Sequence, residues 1–171
     1  MDELKEIKIG NTKIIALKDG ELNLPKEVLV NLSEKIGSNL ENNDLNLSNI
    51  NAFLIQQEGK NLLIDAGCRD IFGPTCGFIL DELDKANVKP KDITDIFFTH
   101  LHPDHIGGAV SKDGEPVFPN ASVKVLSKEI DFWSKDNFED IEVNGKNFAD
   151  LAKSVYQHME KKVHLLAKTM K

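Results

Sequence analysis

The sequence predicts an α/β fold, of the α+β kind, in which helices flank a mixed sheet. Two hairpin patterns, in which apolar and polar residues alternate, occupy much of the first 65 residues. Beyond them, short apolar runs alternate with amphipathic helical patterns, which is typical of strands covered by helices. A length of 171 residues is that of one domain able to bury a core. We therefore expect a single domain over residues 1–171.

The two hairpins each turn at a glycine. The first turns through Gly10 and Asn11, and the second turns around Glu58 and Gly59. The strands predicted in this way span residues 6–10, 12–18, 50–56 and 61–65.

The segment between the hairpins combines two patterns. Residues 25–40 predict a short helix, and residues 37–48, rich in Asn, Ser and Glu, predict an exposed loop.

Helical spacing identifies the next element, over residues 77–86. Phe78, Ile79, Leu80 and Leu83 recur at that spacing and predict a face that packs on the sheet. The acidic residues between them are expected in solvent.

Two strands and a short helix follow. The strands are predicted over residues 92–99 and 121–126. Ser127 is placed to cap the helix, whose Trp133 belongs either to the core or to a pocket wall.

The last element is predicted as one long helix over residues 148–170, where apolar residues recur every three or four positions. His158 and His164 do not share a face of this helix closely, so we expect both in solvent.

Composition narrows the class of protein. A net charge of −7 argues against nucleic acid or an anionic membrane as the main partner. No apolar run approaches the length of a membrane span, and the charged first residues are unlike a signal peptide, so we expect a cytoplasmic protein.

The two cysteines, Cys68 and Cys76, fit neither a disulfide framework nor a zinc-binding pair and are expected as free thiols. Cys68 either fills a buried gap or lines the site.

Candidate metal ligands are concentrated in residues 99–108, Thr-His-Leu-His-Pro-Asp-His-Ile-Gly-Gly, directly after a predicted strand. Three of the five histidines, His100, His102 and His105, lie here together with Asp104. Imidazole and carboxylate at this density suit zinc, with iron or manganese as second choices. The alternative is a surface loop whose histidines are only hydrogen-bonded.

A further carboxylate, Asp65, ends the strand at residues 61–65. One interpretation is that it orients a metal-binding histidine through the free nitrogen of the ring. The other is an Asx turn, in which the carboxylate accepts hydrogen bonds from local backbone N–H groups.

The run His-Leu-His-Pro-Asp-His at residues 100–105 resembles the His-X-His-X-Asp-His signature of the metallo-β-lactamase fold hydrolases. Leu-Lys-Asp-Gly at 17–20 and Leu-Ile-Asp-Ala-Gly at 63–67 also resemble this family. Phe-Pro-Asn-Ala at 118–121, with Phe-Trp at 132–133, is similar to the branch that holds methyl parathion hydrolase and the quorum-quenching lactonases. The resemblance implies half of the family's four-layer αββα sandwich, a mixed sheet flanked by helices.

The same resemblance implies a site for two metal ions, zinc by first choice. The equivalents of His100 and His102 hold one ion, those of Asp104 and His105 hold the other, and a second half supplies a further histidine to each. Asp104 also acts in catalysis, where it orients the attacking hydroxide and helps the leaving group depart. The resemblance favours Asp65 as the group that orients a ligand. It further implies a small-molecule ester, lactone or phosphotriester as substrate.

The segment at residues 26–49 corresponds to a loop that, in the family, covers the active site. It either does so here or is a solvated connection.

The family's second half, with its Gly-His-Thr-Pro-Gly-His run, bridging aspartate and final histidine, has no match in this sequence. We therefore expect a truncated domain with an incomplete site, one uncovered sheet face and an uncovered stripe on the long helix. Three hypotheses follow. The chain is a hydrolase half completed by a complementary chain or by a homodimer, an inactive truncated relative, or a non-catalytic metal-binding or interaction module.

Overall fold

The computed structural model describes residues 4–23, 48–135, 142–143, 146–159 and 163–166. The helix expected over residues 25–40 and nearly all of the loop expected over residues 37–48 lie outside the described residues.

The strands and helices of the described residues have the following bounds. The strands are β1 (Lys5–Ile9), β2 (Thr12–Leu22), β3 (Ser48–Gln57), β4 (Lys60–Ile64), β5 (Asp95–Phe97), β6 (Ser122–Leu126), β7 (Glu142–Val143), β8 (Lys146–Asn147) and β9 (Val163–Leu166). The α-helices are α1 (Ile79–Lys85), α2 (Pro103–Ile106), α3 (Ser127–Trp133) and α4 (Phe148–Met159).

A mixed sheet of seven strands, in the order β1-β2-β3-β4-β5-β6-β9, forms the centre of the described fold. The first four strands pair antiparallel, and β4, β5, β6 and β9 pair in parallel. The short strands β7 and β8 pair with each other. The mixed sheet flanked by helices is as the sequence predicts.

Both hairpins are confirmed. At the second turn, Glu58 and Gly59 have positive φ angles of 49° and 77°, which match the twist of the strands that the turn joins. Strand β2 is longer than predicted, because it runs on past Lys18, where the register with β3 is irregular, as far as Leu22, and this added part pairs with β3.

Helix α1 buries a narrower face than expected. Ile79 and Leu83, four residues apart, are buried, whereas Phe78 and Leu80 are 42% and 44% exposed. The prediction that all four pack on the sheet was therefore wrong. Residues 78 and 80 lie about 100° to either side of residue 79 around the helix axis, so they fall off the buried stripe.

Helix α3 begins without the expected cap. Leu126 occupies the N-cap position, Ser127 is the first helical residue, and no side chain caps the helix.

The prediction of one helix over residues 148–170 was wrong in its second half. Helix α4 ends at Met159, and Val163–Leu166 forms β9, which pairs in parallel with β6 through Val123 and Val163. The spacing of apolar residues in so short a run fits either element, and the open edge of β6 supplies hydrogen-bond partners that favour a strand. Backbone is described at His158 and His164 but not their side chains, so their expected exposure lies outside what is described.

One face of the sheet packs against the helices and forms the core. Its strand residues include Leu17, Leu54, Leu63, Ile96 and Val123, and its helix residues include Ile79, Leu83, Ala149, Ala152 and Val155. Ala149, Ala152 and Val155 are buried, and Phe148 and Leu151 are half-buried against the core, so the apolar stripe of α4 is largely covered over the residues whose side chains are described. The expectation of an uncovered helix was wrong there.

The opposite face, here called the open sheet face, carries two rows of apolar residues. Within each row, successive residues lie opposite one another on neighbouring strands. The rows are Ile7, Ile14, Ile55 and Leu62, and Ala16, Phe53, Ile64 and Phe97. Ile7 is 58% exposed and Phe53 is 43% exposed, and the others are half-buried. In the described ranges no helix is long and apolar enough to cross a membrane.

Candidate metal centre

The histidine cluster lies where two neighbouring parallel strands end. Residue 65 directly follows β4, and Thr99 comes two residues after the end of β5. The N–H of Asp65 donates to the carbonyl oxygen of Phe97 at 2.9 Å, which keeps the two strand ends together. His102 is still extended, and Pro103 then starts α2, as the fixed φ of proline favours at a first helical position.

The loop after β4 packs against the segment that carries the histidines, and its backbone bonds to that segment. Asp65, Gly67 and Arg69 have positive φ angles of 59°, 72° and 57°. The N–H of Ala66 donates to the carbonyl of His105 at 2.7 Å. The N–H of Gly108 donates to Gly67 at 3.0 Å. Backbone therefore holds the second half of α2 and the turn that follows it against this loop.

The structure brings the four predicted site residues together. The ring centroids of His100 and His105 are 3.9 Å apart, and those of His100 and His102 are 4.6 Å apart. Oδ2 of Asp104 lies 3.2 Å from Nε2 of His105. The three imidazoles and this carboxylate thus form one cluster of side chains in mutual contact.

Asp65 lies behind His105. Its Oδ2 accepts from Nδ1 of His105 at 2.8 Å and from the Thr99 hydroxyl at 2.8 Å, while its Oδ1 accepts from the Thr99 N–H at 2.8 Å. These partners come from the segment after β5 and from α2 rather than from the backbone next to Asp65, so the carboxylate does not form an Asx turn. The side chain of Asp65 is 7% exposed, and its lone pairs are well satisfied.

The hydrogen bonds assign the tautomer of His100. Because Asp65 only accepts, the Thr99 hydroxyl gives its proton to Asp65, and its oxygen then accepts from Nδ1 of His100, 3.1 Å away. Nε2 of His100 is left with the lone pair, which is the form that binds a metal.

The surroundings of the cluster shift the pKa values of two of its histidines in opposite directions. Burial and the neighbouring His105 and His102 lower the pKa of His100, so that its ring is neutral at pH 7. Burial also disfavours charge on His105, but hydrogen bonds to Asp104 and Asp65 outweigh it and raise the pKa of His105 to about 9. Burial would raise the pKa of Asp104, yet the bond to His105 lowers it below its usual range.

The donor set fits a divalent metal ion. Three imidazoles and a carboxylate are ligands that zinc, iron and manganese accept in proteins. As the side chains stand, no three His, Cys, Asp or Glu residues of the described part are arranged to hold an ion by themselves. Some of the candidate ligand atoms are instead hydrogen-bonded to each other, as His105 is to Asp104. A metal ion that bound both side chains would displace the proton in this hydrogen bond.

Sequence reasoning missed the parts that Thr99, Phe148 and Glu129 play at the site, whereas it gave Trp133 as a core residue or a pocket wall. Thr99 could have been found, because it directly precedes the histidine run. Trp133 and Phe148 contact His102, with ring centroids 5.6 and 5.9 Å from its own, so Trp133 is both a core residue and a wall of the site. Glu129 accepts from the N–H of Leu101 at 3.1 Å, and its position in the sequence carries no signal of this contact.

Cys68 is a buried filler rather than a wall of the site. Both cysteines are free, as expected, and lie with Ile50 in a small separate apolar cluster. Beside it, the fully buried Asp19 accepts from the N–H groups of Cys68 and Ile79 at 2.8 and 2.9 Å. Asp19 thereby ties β2 to the loop after β4 and to the start of α1.

The chain is thus an α/β protein that gathers histidines and carboxylates where the parallel strands of its mixed sheet end. The chain belongs to the metallo-beta-lactamase superfamily, because the model of that family matches residues 45–136, more than half of the chain.

Individual relatives agree with this assignment. A probable metallo-hydrolase of Methanocaldococcus jannaschii is 34% identical over 89 residues, which are 52% of this chain and 36% of that protein. The structure of AidC, a dizinc quorum-quenching lactonase, is 30% identical with a TM-score of 0.75, and the match covers 95% of this chain and 60% of AidC. A probable metal-dependent hydrolase of Staphylococcus aureus is 25% identical with a TM-score of 0.71, and the match covers 96% of this chain and 62% of the other. The chain therefore spans about a third to three fifths of the length of these proteins.

Proposed function

We propose that the chain is half of a metal-dependent hydrolase that acts on a small-molecule ester, lactone or phosphotriester. The observation that carries the proposal is the contact of His100, His102 and His105 beside Asp104 and Asp65 in a member of this superfamily. Similarity to a dizinc lactonase supports the choice of zinc and of lactone-like substrates, with iron or manganese as alternatives.

The resemblance to the metallo-β-lactamase fold hydrolases gives each side chain a proposed role. His100 and His102 would hold one ion, and Asp104 with His105 would hold a second. Bound divalent ions lower the pKa of water and stabilise negative charge on a substrate oxygen. Asp65 accepts from Nδ1 of His105 and so directs Nε2 toward the site. The side chain of Asp104 is 30% exposed, so it can also exchange a proton with water or with a leaving group.

Metal content and turnover, measured together, test this proposal. Elemental analysis of the purified chain should find bound zinc, and the loaded chain should hydrolyse a lactone or an aryl ester. The double variant His100→Ala, His102→Ala should lose zinc while keeping the circular dichroism spectrum of the folded chain. Equal zinc content in the double variant and the wild type would contradict the ligand assignment.

A second candidate function is metal binding or protein interaction without hydrolysis. The arrangement of donors favours it, because within the described residues no three ligands surround one point and each proposed ion has two protein ligands here. Zinc binding with no turnover of any of the three substrate classes would select this candidate.

The open sheet face supports a partner. Its apolar rows are half-buried or exposed, and the chain spans 60% of the length of AidC. We propose that a complementary second-half chain, or a second copy of this chain, covers this face and completes the site.

Sedimentation tests the partner. Phe53→Lys, on the open sheet face, should weaken association, whereas Leu80→Lys, at a similarly exposed position on α1, should not. A compact monomer, both alone and with a second-half chain, would contradict the proposal.

The two free and buried thiols fit a reducing compartment, and we therefore propose a cytoplasmic location.

A further inference from the structure

We propose that Glu129 is a positioning residue for the histidine cluster and that it sets the orientation of His102 through two hydrogen bonds. The inference rests on the proposed metal-binding function. Glu129 lies on α3, outside the histidine run, and is half-buried.

The first hydrogen bond fixes the backbone between two candidate ligands. Leu101 separates His100 from His102, and its N–H donates to Oε2 of Glu129 at 3.1 Å. Holding this peptide group restricts the dihedral angles on either side of it. The directions in which the two imidazoles leave the backbone are therefore restricted as well.

The second hydrogen bond fixes the surface on which His102 rests. Nε1 of Trp133 donates to the same oxygen of Glu129 at 3.3 Å. The indole of Trp133 is buried and meets the ring of His102 edge-on, with an interplanar angle of 76°. A single carboxylate oxygen thus holds both the backbone beside His102 and the aromatic ring against its side chain.

A metal site needs ligands held close to their binding geometry before the ion arrives, and outer residues that hold them change affinity by about 10- to 100-fold. Glu129 fits this description, because it bonds to Leu101 and Trp133 rather than to a candidate ligand side chain. Its role is to accept hydrogen bonds, so a glutamine, which keeps an acceptor oxygen, should largely replace it, whereas an alanine should not.

The experiment compares Glu129→Ala, Glu129→Gln and a control, Asp131→Ala, at an exposed acidic position on the same helix. Zinc affinity is measured on the full chain by competition with a chromophoric chelator. Hydrogen exchange of the Leu101 amide is measured by NMR on the metal-free chain. We expect Glu129→Ala to weaken zinc binding about 10- to 100-fold and to speed exchange of the Leu101 amide at least about tenfold. Glu129→Gln should stay within about threefold of the wild type for both.

The two readouts separate this inference from the proposed function. If the wild type and Asp131→Ala bind no zinc, the metal-binding function fails, and exchange of the Leu101 amide still decides whether Glu129 holds this backbone. Folded Glu129→Ala with wild-type zinc affinity, or with an unchanged Leu101 amide, would overturn the inference. The inference would also be overturned if Glu129→Gln bound zinc as weakly as Glu129→Ala.

Discussion

Oδ2 of Asp65 and Nδ1 of His105 lie 2.8 Å apart, and the same carboxylate holds both the N–H and the hydroxyl of Thr99. Asp65 has a left-handed backbone with a φ of 59°, a conformation that few residues other than glycine, asparagine and aspartate adopt without strain. One residue therefore joins the ends of β4 and β5 to the proposed ligand His105.

Replacing Asp65 should weaken metal binding more than it weakens the fold. Asp65→Asn keeps a side chain that tolerates the left-handed backbone but loses the charge that fixes His105, and should lower zinc affinity about 10- to 100-fold. Chelator competition measures this effect. Asp70→Ala, at a carboxylate that is 47% exposed, is the control and should leave affinity unchanged. Equal affinity in both variants would contradict a role for Asp65 in orienting His105.

The metal-free chain should hold a charged His105 at neutral pH. Its pKa is raised to about 9, against about 6.5 in the unfolded chain, because Asp104 and Asp65 favour the charged form despite burial. A raised pKa means that this contribution to stability is fully present below about pH 6.5 and is lost as the pH rises through about 9. NMR titration of the histidine rings, with urea unfolding at several pH values after EDTA treatment, measures both. In Asp104→Asn the pKa of His105 should fall. Titration of His105 near 6.5 in both proteins would refute the assignment.

Gly108 should not accept a side chain. A Cβ at this position would lie 2.0 Å from the carbonyl oxygen of Ala66, and hydrogen bonds hold the backbone of both residues in place. We expect Gly108→Ala to destabilise the chain by about 3 kcal/mol, the upper end of the range for overpacking. Gly59→Ala is the control. It has a positive φ of 77° but open space around it, and should cost about 1 kcal/mol. Urea unfolding ranks the two, and the reverse order would show that steric conflict at Gly108 is relieved by movement.

Asp19 should be among the most sensitive polar positions in the described fold. It is fully buried, and its carboxylate accepts from the N–H groups of Cys68 and Ile79. Asp19→Ala leaves two buried donors without a partner, at about 1–3 kcal/mol each, so we expect a loss of about 2–6 kcal/mol in the free energy of unfolding. Asp70→Ala, at the surface, should stay within about 0.5 kcal/mol of the wild type. A similarly small change for Asp19→Ala would mean that water replaces the lost bonds.

The parts of the fold that the sequence predicts well depend on nearby residues. Both hairpins are read from alternation and a glycine turn, and the histidine cluster from six consecutive positions. The missed parts depend on contacts between distant segments. Strand β9 needs the open edge of β6, and Glu129 reaches Leu101 because α3 packs beside the end of β5.

The burial of α1 shows a related limit. Spacing places Phe78 and Leu80 to either side of the stripe that Ile79 and Leu83 bury, but how wide a stripe is covered depends on the distant strands that pack on the helix.

Strand β5 is three residues long but lies between β4 and β6, with Ile96 fully buried and the N–H of Phe98 bonded to Lys124 across the next strand. Deuterium should reach these amides through opening of the whole sheet, whereas β1, at the edge, exchanges by fraying. The histidines thus directly follow a strand that we expect to be among the last parts of the sheet to unfold. A chain that has lost its outermost strand should therefore keep the histidine cluster assembled.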